Sequence, residues 1–225
     1  MNKVKASITV YVPNSIMAIF RLALFYYIFA GRISPAFAQN TDIDLLRDIN
    51  LHRNKNLDGG MEAVTNSAYI ISAAAPLAEL ATGYLTHDKT LTNKGWQCVA
   101  GLGINTALTF GLKYTINRPR PYITYSYLEP YRHNNDASFP SGHTSYAFNT
   151  ATSLSFAFPK WYVIAPSYAW AATVAYSRMH LGMHYPTDLL GGAAVGAASA
   201  WISYKGGQWL QKHNKKQLTP LQANL

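Results

Sequence analysis

Three short segments of this 225-residue chain hold most of the side chains able to do chemistry together. Lys113 is followed by Arg118, Arg120 and Pro121; Pro140-Ser141-Gly142-His143 comes next; and Ser177-Arg178 precedes His184 and Asp188. Lys113, Arg120 and Arg178 bring permanent cations. Guanidinium forks match phosphate oxygens bidentately, while lysine supplies a point charge. Pro140 to His143 reads as a helix start, with Ser141 as a capping residue and Gly142 letting the backbone approach a ligand. Free N–H groups and the helix dipole then face an anion. His184 and Asp188 share one helical face where Pro186 opens a helix, so the carboxylate can accept a proton from Nδ1 and leave Nε2 nucleophilic. His143 offers a second imidazole, suited to protonating a departing alkoxide. The chemistry implied is two-step phosphoryl transfer through a phosphohistidine resolved by water, with the cations on the equatorial oxygens. It calls for no metal and no other cofactor.

The elements that must position these groups are helical. Apolar runs bounded by Pro, Gly or polar residues predict helices over 62–86, 95–114, 142–158, 161–177 and 187–204. Ahead of them, Ile43, Leu45, Leu46, Ile49 and Leu51 give the stretch Asp42 to Asn56 one apolar face, as in a short amphipathic helix. Alternating strand patterns are hard to find, and the fold class is all-α. The ends of helices 95–114 and 161–177 meet the starts of helices 142–158 and 187–204 on one side, which lets residues 113–188 converge. Gly192 and Gly196 form a small-residue face for close helix packing.

Mean hydropathy is near neutral, and the runs are short for membrane spans, which usually need about twenty apolar residues. Charge placement nevertheless favours a membrane bundle. If residue 39 lies outside, Lys89, Lys94, Lys160, Lys205, Lys212, Lys215 and Lys216 all fall inside, as the positive-inside rule requires. Trp96, Trp161, Trp201 and Trp209 then mark the inner boundary.

At the N-terminus, Lys3 and Lys5 lead into the apolar stretch Ile16 to Ala30, and Ala36-Phe37-Ala38 follows. This is the pattern of a secretory signal with a cleavage site, or of a first membrane helix, over 1–38. Residues 39–61 are an exported amphipathic lead-in, 62–204 the helical domain and 205–225 a basic tail. Removing Lys3, Lys5, Arg21 and Arg32 lowers the formal charge from +9 to +5. The remaining basic residues are scattered and lack the stripe interleaved with aromatics that nucleic-acid binding would call for. Cys98, the single cysteine, excludes an intrachain disulfide and reads as a small buried residue.

Taken singly, each candidate residue is more often structural than catalytic; their joint order is what carries weight. Lys113-x6-Arg120-Pro121, Pro140-Ser141-Gly142-His143 and Ser177-Arg178-x5-His184-x3-Asp188 match, in order, the three signature motifs of the type 2 phosphatidic acid phosphatase and vanadium haloperoxidase superfamily. The resemblance covers residues 113–188 by motif and about 62–204 by helix pattern. It implies that Lys113, Arg120, Ser141, Gly142 and Arg178 bind phosphate, with His143 as the acid, His184 as the nucleophile and Asp188 as its partner. It also resembles the membrane members in having six helices with the motifs facing the periplasm. A bacterial inner-membrane phosphatase acting on a phosphorylated lipid is therefore expected, with membrane lipids around it and no nucleic-acid partner.

The alternatives are a soluble periplasmic phosphatase of small phosphate esters, a vanadate-dependent haloperoxidase and a non-enzymatic lipid-binding scaffold. Haloperoxidases of the superfamily are much longer, and a scaffold needs no His184/Asp188 pair. Arg118, Arg132, His133 and His180 read as surface or packing residues, and Glu79 as a carboxylate within an apolar helix that is either paired or turned to a polar interior.

Overall fold

A computed structural model of the protein describes residues 35–222. The chain divides into a unit of residues 1–41 and a unit of residues 42–225. Of the first unit, only the opening turns of a helix beginning at Pro35 are described. The expected export segment otherwise lies outside the described residues.

Among the described residues there are no strands, and the order is α1 (Pro35–Leu51), a 3-10 turn (Lys55–Leu57), α2 (Asp58–Leu85), α3 (Lys89–Ile116), the four-residue α4 (Pro121–Thr124), α5 (Gly142–Ala157), α6 (Trp161–His180) and α7 (Pro186–Gln222). Helices start and stop where local chemistry directs. Asp88 caps α3 by accepting from Thr90 N at 2.8 Å and Leu91 N at 3.1 Å, so α3 begins earlier than the apolar run suggests. Asn117, left-handed at φ 46°, ends it and donates its N–H to Lys113 O. This fixes Lys113 in the last turn. Helix α7 continues past residue 204, so the basic tail is a helical extension through Gln222.

The expected spans are longer than the apolar runs implied. Helices α2 and α3 have 28 residues each, about 42 Å at the usual rise and ample for a hydrocarbon core of about 30 Å. By length and composition, Lys55–Leu85 qualifies as a membrane-crossing segment.

The packing of the second unit puts small and polar residues inside and large apolar ones outside. Its interior combines Ala68, Ala147, Ala151, Ala171 and Val174 with Thr65, Ser72, Asn105, Thr109, Ser145, Asn149 and Thr150, all buried. The polar ones hydrogen-bond across helices: Ser72 with Thr150 at 2.6 Å, Asn105 Nδ2 with Ser145 at 3.3 Å, and Asn149 Nδ2 with the carbonyls of Gly101 at 3.2 Å and Gly196 at 3.1 Å, while the Oδ1 atoms of both asparagines have no partner among the described residues. Outside stand Ile70, Leu77, Leu85, Phe110, Trp161 and Leu190. Water-soluble bundles arrange these classes the other way round, whereas lipid tolerates large apolar side chains and rewards close, small, hydrogen-bonded contacts inside. Gly192 and Gly196 let α7 lie against α5: a methyl group on Gly192 would come within 2.6 Å of Ser141 O. Lys94 donates to Ala157 O at 2.6 Å, tying α3 to the end of α5 at the end of the bundle remote from Arg178 and His184.

Glu79 follows the second of its two expectations: it is turned inward and buried in α2, and neither carboxylate oxygen has a hydrogen-bond partner among the described residues. Cys98 is buried, as a small core residue should be.

Candidate active site

Helix α1 helps build the end of the bundle where the motifs meet. Ile43 and Leu46 pack with Leu128 and Tyr185. Asn50 ties α1 to the loop after α4 and to the end of α6, donating to Glu129 O and His180 O at 3.2 Å each and accepting from Glu129 N at 2.9 Å. His180 is a packing residue as expected, buried against Asp58 at 3.0 Å.

The three motifs converge. His184 sits in the turn between α6 and α7, wholly buried, with Arg120 Nη1 at 3.1 Å from its Nε2. Arginine can only donate, so Nε2 is the unprotonated nitrogen and Nδ1 carries the hydrogen. That hydrogen points to Asp188 Oδ2 at 3.4 Å. The lone pair expected to be free is thus engaged by Arg120. Burial first, and then the charges of Arg120, Arg178 and Lys113, hold the His184 pKa well below the ordinary imidazole range.

Asp188 lies in the first turn of α7, where Pro186 opens the helix as expected. Its Oδ2 accepts from Tyr185 N at 3.0 Å, returning to the start of the helix in the manner of a capping box. The same oxygen accepts from Ser138 Oγ at 2.5 Å, and Oδ1 accepts from Arg118 Nη1 at 2.8 Å. Arg118 is therefore not a surface residue: its other arm reaches Asp42 at 2.8 Å, and it lies 3.8 Å over the Tyr185 ring. Asp42 also accepts from Thr187 N at 2.8 Å and Thr187 Oγ1 at 2.5 Å.

The cations ring His184. Arg120, at the start of α4, donates to Met183 O at 3.0 Å and to Asp136 Oδ1 at 2.6 Å. Lys113 reaches Asp136 Oδ2 at 2.9 Å and the carbonyl of Ala137. Asp136 resists its partial burial: the hydrogen bond from Lys113 and the charges of Arg120 and Lys113 hold its carboxyl at about 2. Arg178, in the last turn of α6, donates to Thr65 at 3.2 Å, and its buried Nε has no partner among the described residues. A buried guanidinium with an unmet donor is suited to an oxyanion.

Helix α5 begins at Gly142, with Ser141 at its cap position. The expected side-chain cap is absent, because the Ser141 hydroxyl instead accepts from Thr144 at 3.0 Å, while its backbone N–H goes to Asp188 O. Gly142 packs under Tyr69, whose hydroxyl would meet an added methyl at 3.4 Å. His143 packs its ring against Tyr69 at 4.5 Å and shares a cavity of about 80 Å³ with Arg178. Arg132 lies on that cavity's wall and pairs with Glu62, whereas His133 packs against Tyr122.

Sequence reasoning thus missed Arg118, Ser138, Asp136 and Asp42. Each acts through folding at long range, with Arg118 70 positions from Asp188 and 76 from Asp42. Arg118 stood inside the first motif, and Asp136 and Ser138 just ahead of Pro140, whereas Asp42 lay far from all three motifs.

Fold and site together define a membrane-associated helical phosphatase, an enzyme that hydrolyses phosphoric esters. A match to the PAP2 superfamily spans residues 94–212. Undecaprenyl-diphosphatase BcrC of Bacillus subtilis is 31% identical over 154 residues, covering 68% of this chain and 77% of that protein. Lipid A 4'-phosphatase of Bacteroides thetaiotaomicron is 34% identical over 88 residues, 39% of each chain. The crystal structure of a transmembrane PAP2 type phosphatidylglycerolphosphate phosphatase from Bacillus subtilis superposes with a TM-score of 0.67 at 27% identity, covering 84% of this chain and 95% of that one. The chain belongs to the PAP2 superfamily.

Proposed function

We propose that this phosphatase removes the terminal phosphate from a lipid-linked phosphate or diphosphate through a phosphohistidine on His184, without a metal, at the periplasmic face of a bacterial inner membrane. The observation that carries the mechanism is the line Arg120–His184–Asp188. It fixes the tautomer in which Nε2 holds its lone pair toward the cation cluster.

In the first step His184 Nε2 attacks phosphorus, and the P–O bond to the leaving group breaks. The departing oxygen takes a proton from His143. Lys113, Arg120 and Arg178 bear the charge on the equatorial oxygens, a part that metal ions play elsewhere. Asp188 stabilises the positive imidazole as it forms. In the second step water attacks, His143 takes its proton, the P–N bond breaks and inorganic phosphate departs. The N-terminal N–H groups of α5 at Gly142 and His143 face the same anion.

A lipid substrate is supported by the outward apolar surface, with Ile123 and Tyr114 exposed near the site end, and by relatives named for undecaprenyl diphosphate and lipid A. The export segment expected over 1–38 and the placement of lysines support the periplasmic orientation. The test incubates purified protein in detergent with undecaprenyl diphosphate, lipid A, phosphatidylglycerophosphate, phosphatidic acid and p-nitrophenyl phosphate, all with excess chelator. A lipid should give the highest kcat/KM. Turnover that depends on added metal, or a preference for the soluble ester, would overturn the reading.

A further inference from the structure

We infer that Arg132 is a specificity residue that recognises a charged leaving group, so that this site prefers a phosphoanhydride to a simple phosphate ester. The inference rests on the reading just given and deepens it.

The argument begins with the acid. A group that protonates the departing oxygen must face it, so the leaving group occupies the space beside His143. That space is the cavity of about 80 Å³ lined by His143 and Arg178. Glu62, Tyr131, Arg132 and Asn134 line it as well. The lining is thus rich in donors, and it holds a cation outside the Lys113, Arg120 and Arg178 set.

The partner of Arg132 is replaceable. Its guanidinium pairs with Glu62, and Tyr131 donates its hydroxyl to the same carboxylate at 2.8 Å. The Arg132 side chain is 64% exposed, whereas that of Glu62 is 19% exposed. The arginine can therefore move toward an incoming anion while Glu62 keeps Tyr131 as a partner. Glycerol or a sugar hydroxyl leaves as a neutral group and gains nothing from a second cation. From an anhydride, a phosphate monoester leaves instead. The bridging oxygen takes the electron pair of the broken P–O bond and the proton of His143, while His184 takes the phosphoryl group. Negative charge on the departing phosphate rises as that bond breaks, so a cation beside it acts more strongly in the transition state than before it.

The experiment compares kcat/KM for phosphate release from farnesyl diphosphate, farnesyl phosphate and phosphatidylglycerophosphate in the parent, Arg132→Gln, Arg132→Lys and Glu62→Gln proteins. Arg132→Gln should lower the diphosphate-to-monophosphate ratio about 10-fold, and Arg132→Lys should recover part of it. Glu62→Gln should raise the ratio by releasing Arg132. Equal losses on all three lipids, a loss confined to phosphatidylglycerophosphate, or a lowered ratio in Glu62→Gln would overturn this inference alone. A parent protein inactive on every lipid would overturn the functional reading with it.

Discussion

Arg118 grips Asp188 at 2.8 Å from a position stacked over Tyr185, and so fixes the carboxylate that faces His184. The grip is braced from α1, because Asp42 holds the other arm of the same guanidinium. An amphipathic helix outside the motifs therefore sets the angle of the His184 imidazole.

Removing that brace should slow chemistry without weakening substrate binding. Asp42→Asn is expected to lower kcat by about 10-fold with KM within about 2-fold, since small misplacements of a reacting group are costly. Steady-state kinetics on the preferred lipid decide this. A raised KM at unchanged kcat would show that Asp42 acts on binding instead.

The division of labour between the histidines can be separated by leaving group. His184→Ala should abolish both phosphohistidine formation and turnover, because the covalent acceptor is gone. His143→Ala should lose about 100-fold or more on an alkyl phosphate and much less on p-nitrophenyl phosphate, whose leaving oxygen needs little protonation. Substantial turnover by His184→Ala would remove the proposed intermediate.

Asp136 occupies Lys113 and Arg120, and on the proposed mechanism it competes with substrate for both. Held at about 2, it is ionised throughout the working range, so it repels an incoming anion at every pH where the enzyme acts. Asp136→Asn should lower the Ki of inorganic phosphate and of vanadate by about 3- to 10-fold through loss of like charge. A raised Ki would mean that its orienting of the two cations outweighs its repulsion.

The buried position of His184 makes a prediction for pH. A depressed imidazole pKa means that the proton is lost well below the usual range, so the ring stays neutral as pH falls through the ordinary imidazole range. Nitrogen-15 spectra of histidine-labelled protein, with the resonance assigned through His184→Gln, should show no titration of that ring over this window. A midpoint near the ordinary value would contradict the electrostatics described for the site. The free-enzyme kcat/KM should correspondingly show no acidic limb from His184 in this range.

The helices that carry the motifs were legible because apolar runs and Pro or Gly punctuation are local, and Pro186 marks the start of α7 where it stands. Motif spacing also brought His184, Asp188, Arg120, Lys113, Arg178 and His143 to one end of the bundle. What stayed hidden depends on contacts that no period encodes. The early start of α3 rests on the Asp88 side chain, within a polar stretch that reads as a connector. Ser141 stands at a cap position, yet its hydroxyl follows Thr144, which faces it only once the first turn has formed. Arg118 looked like any arginine near a helix end until α1 placed Asp42 beside it.

The inverted interior bears on how this protein comes apart. Its helices satisfy their own backbones and show apolar side chains outward, so detergent can replace the neighbouring helix without melting either one. Sodium dodecyl sulfate should therefore separate α5 from α7 at the Gly192–Ser141 contact while far-ultraviolet ellipticity barely changes, and the loss of activity would report dissociation of intact rods rather than their uncoiling.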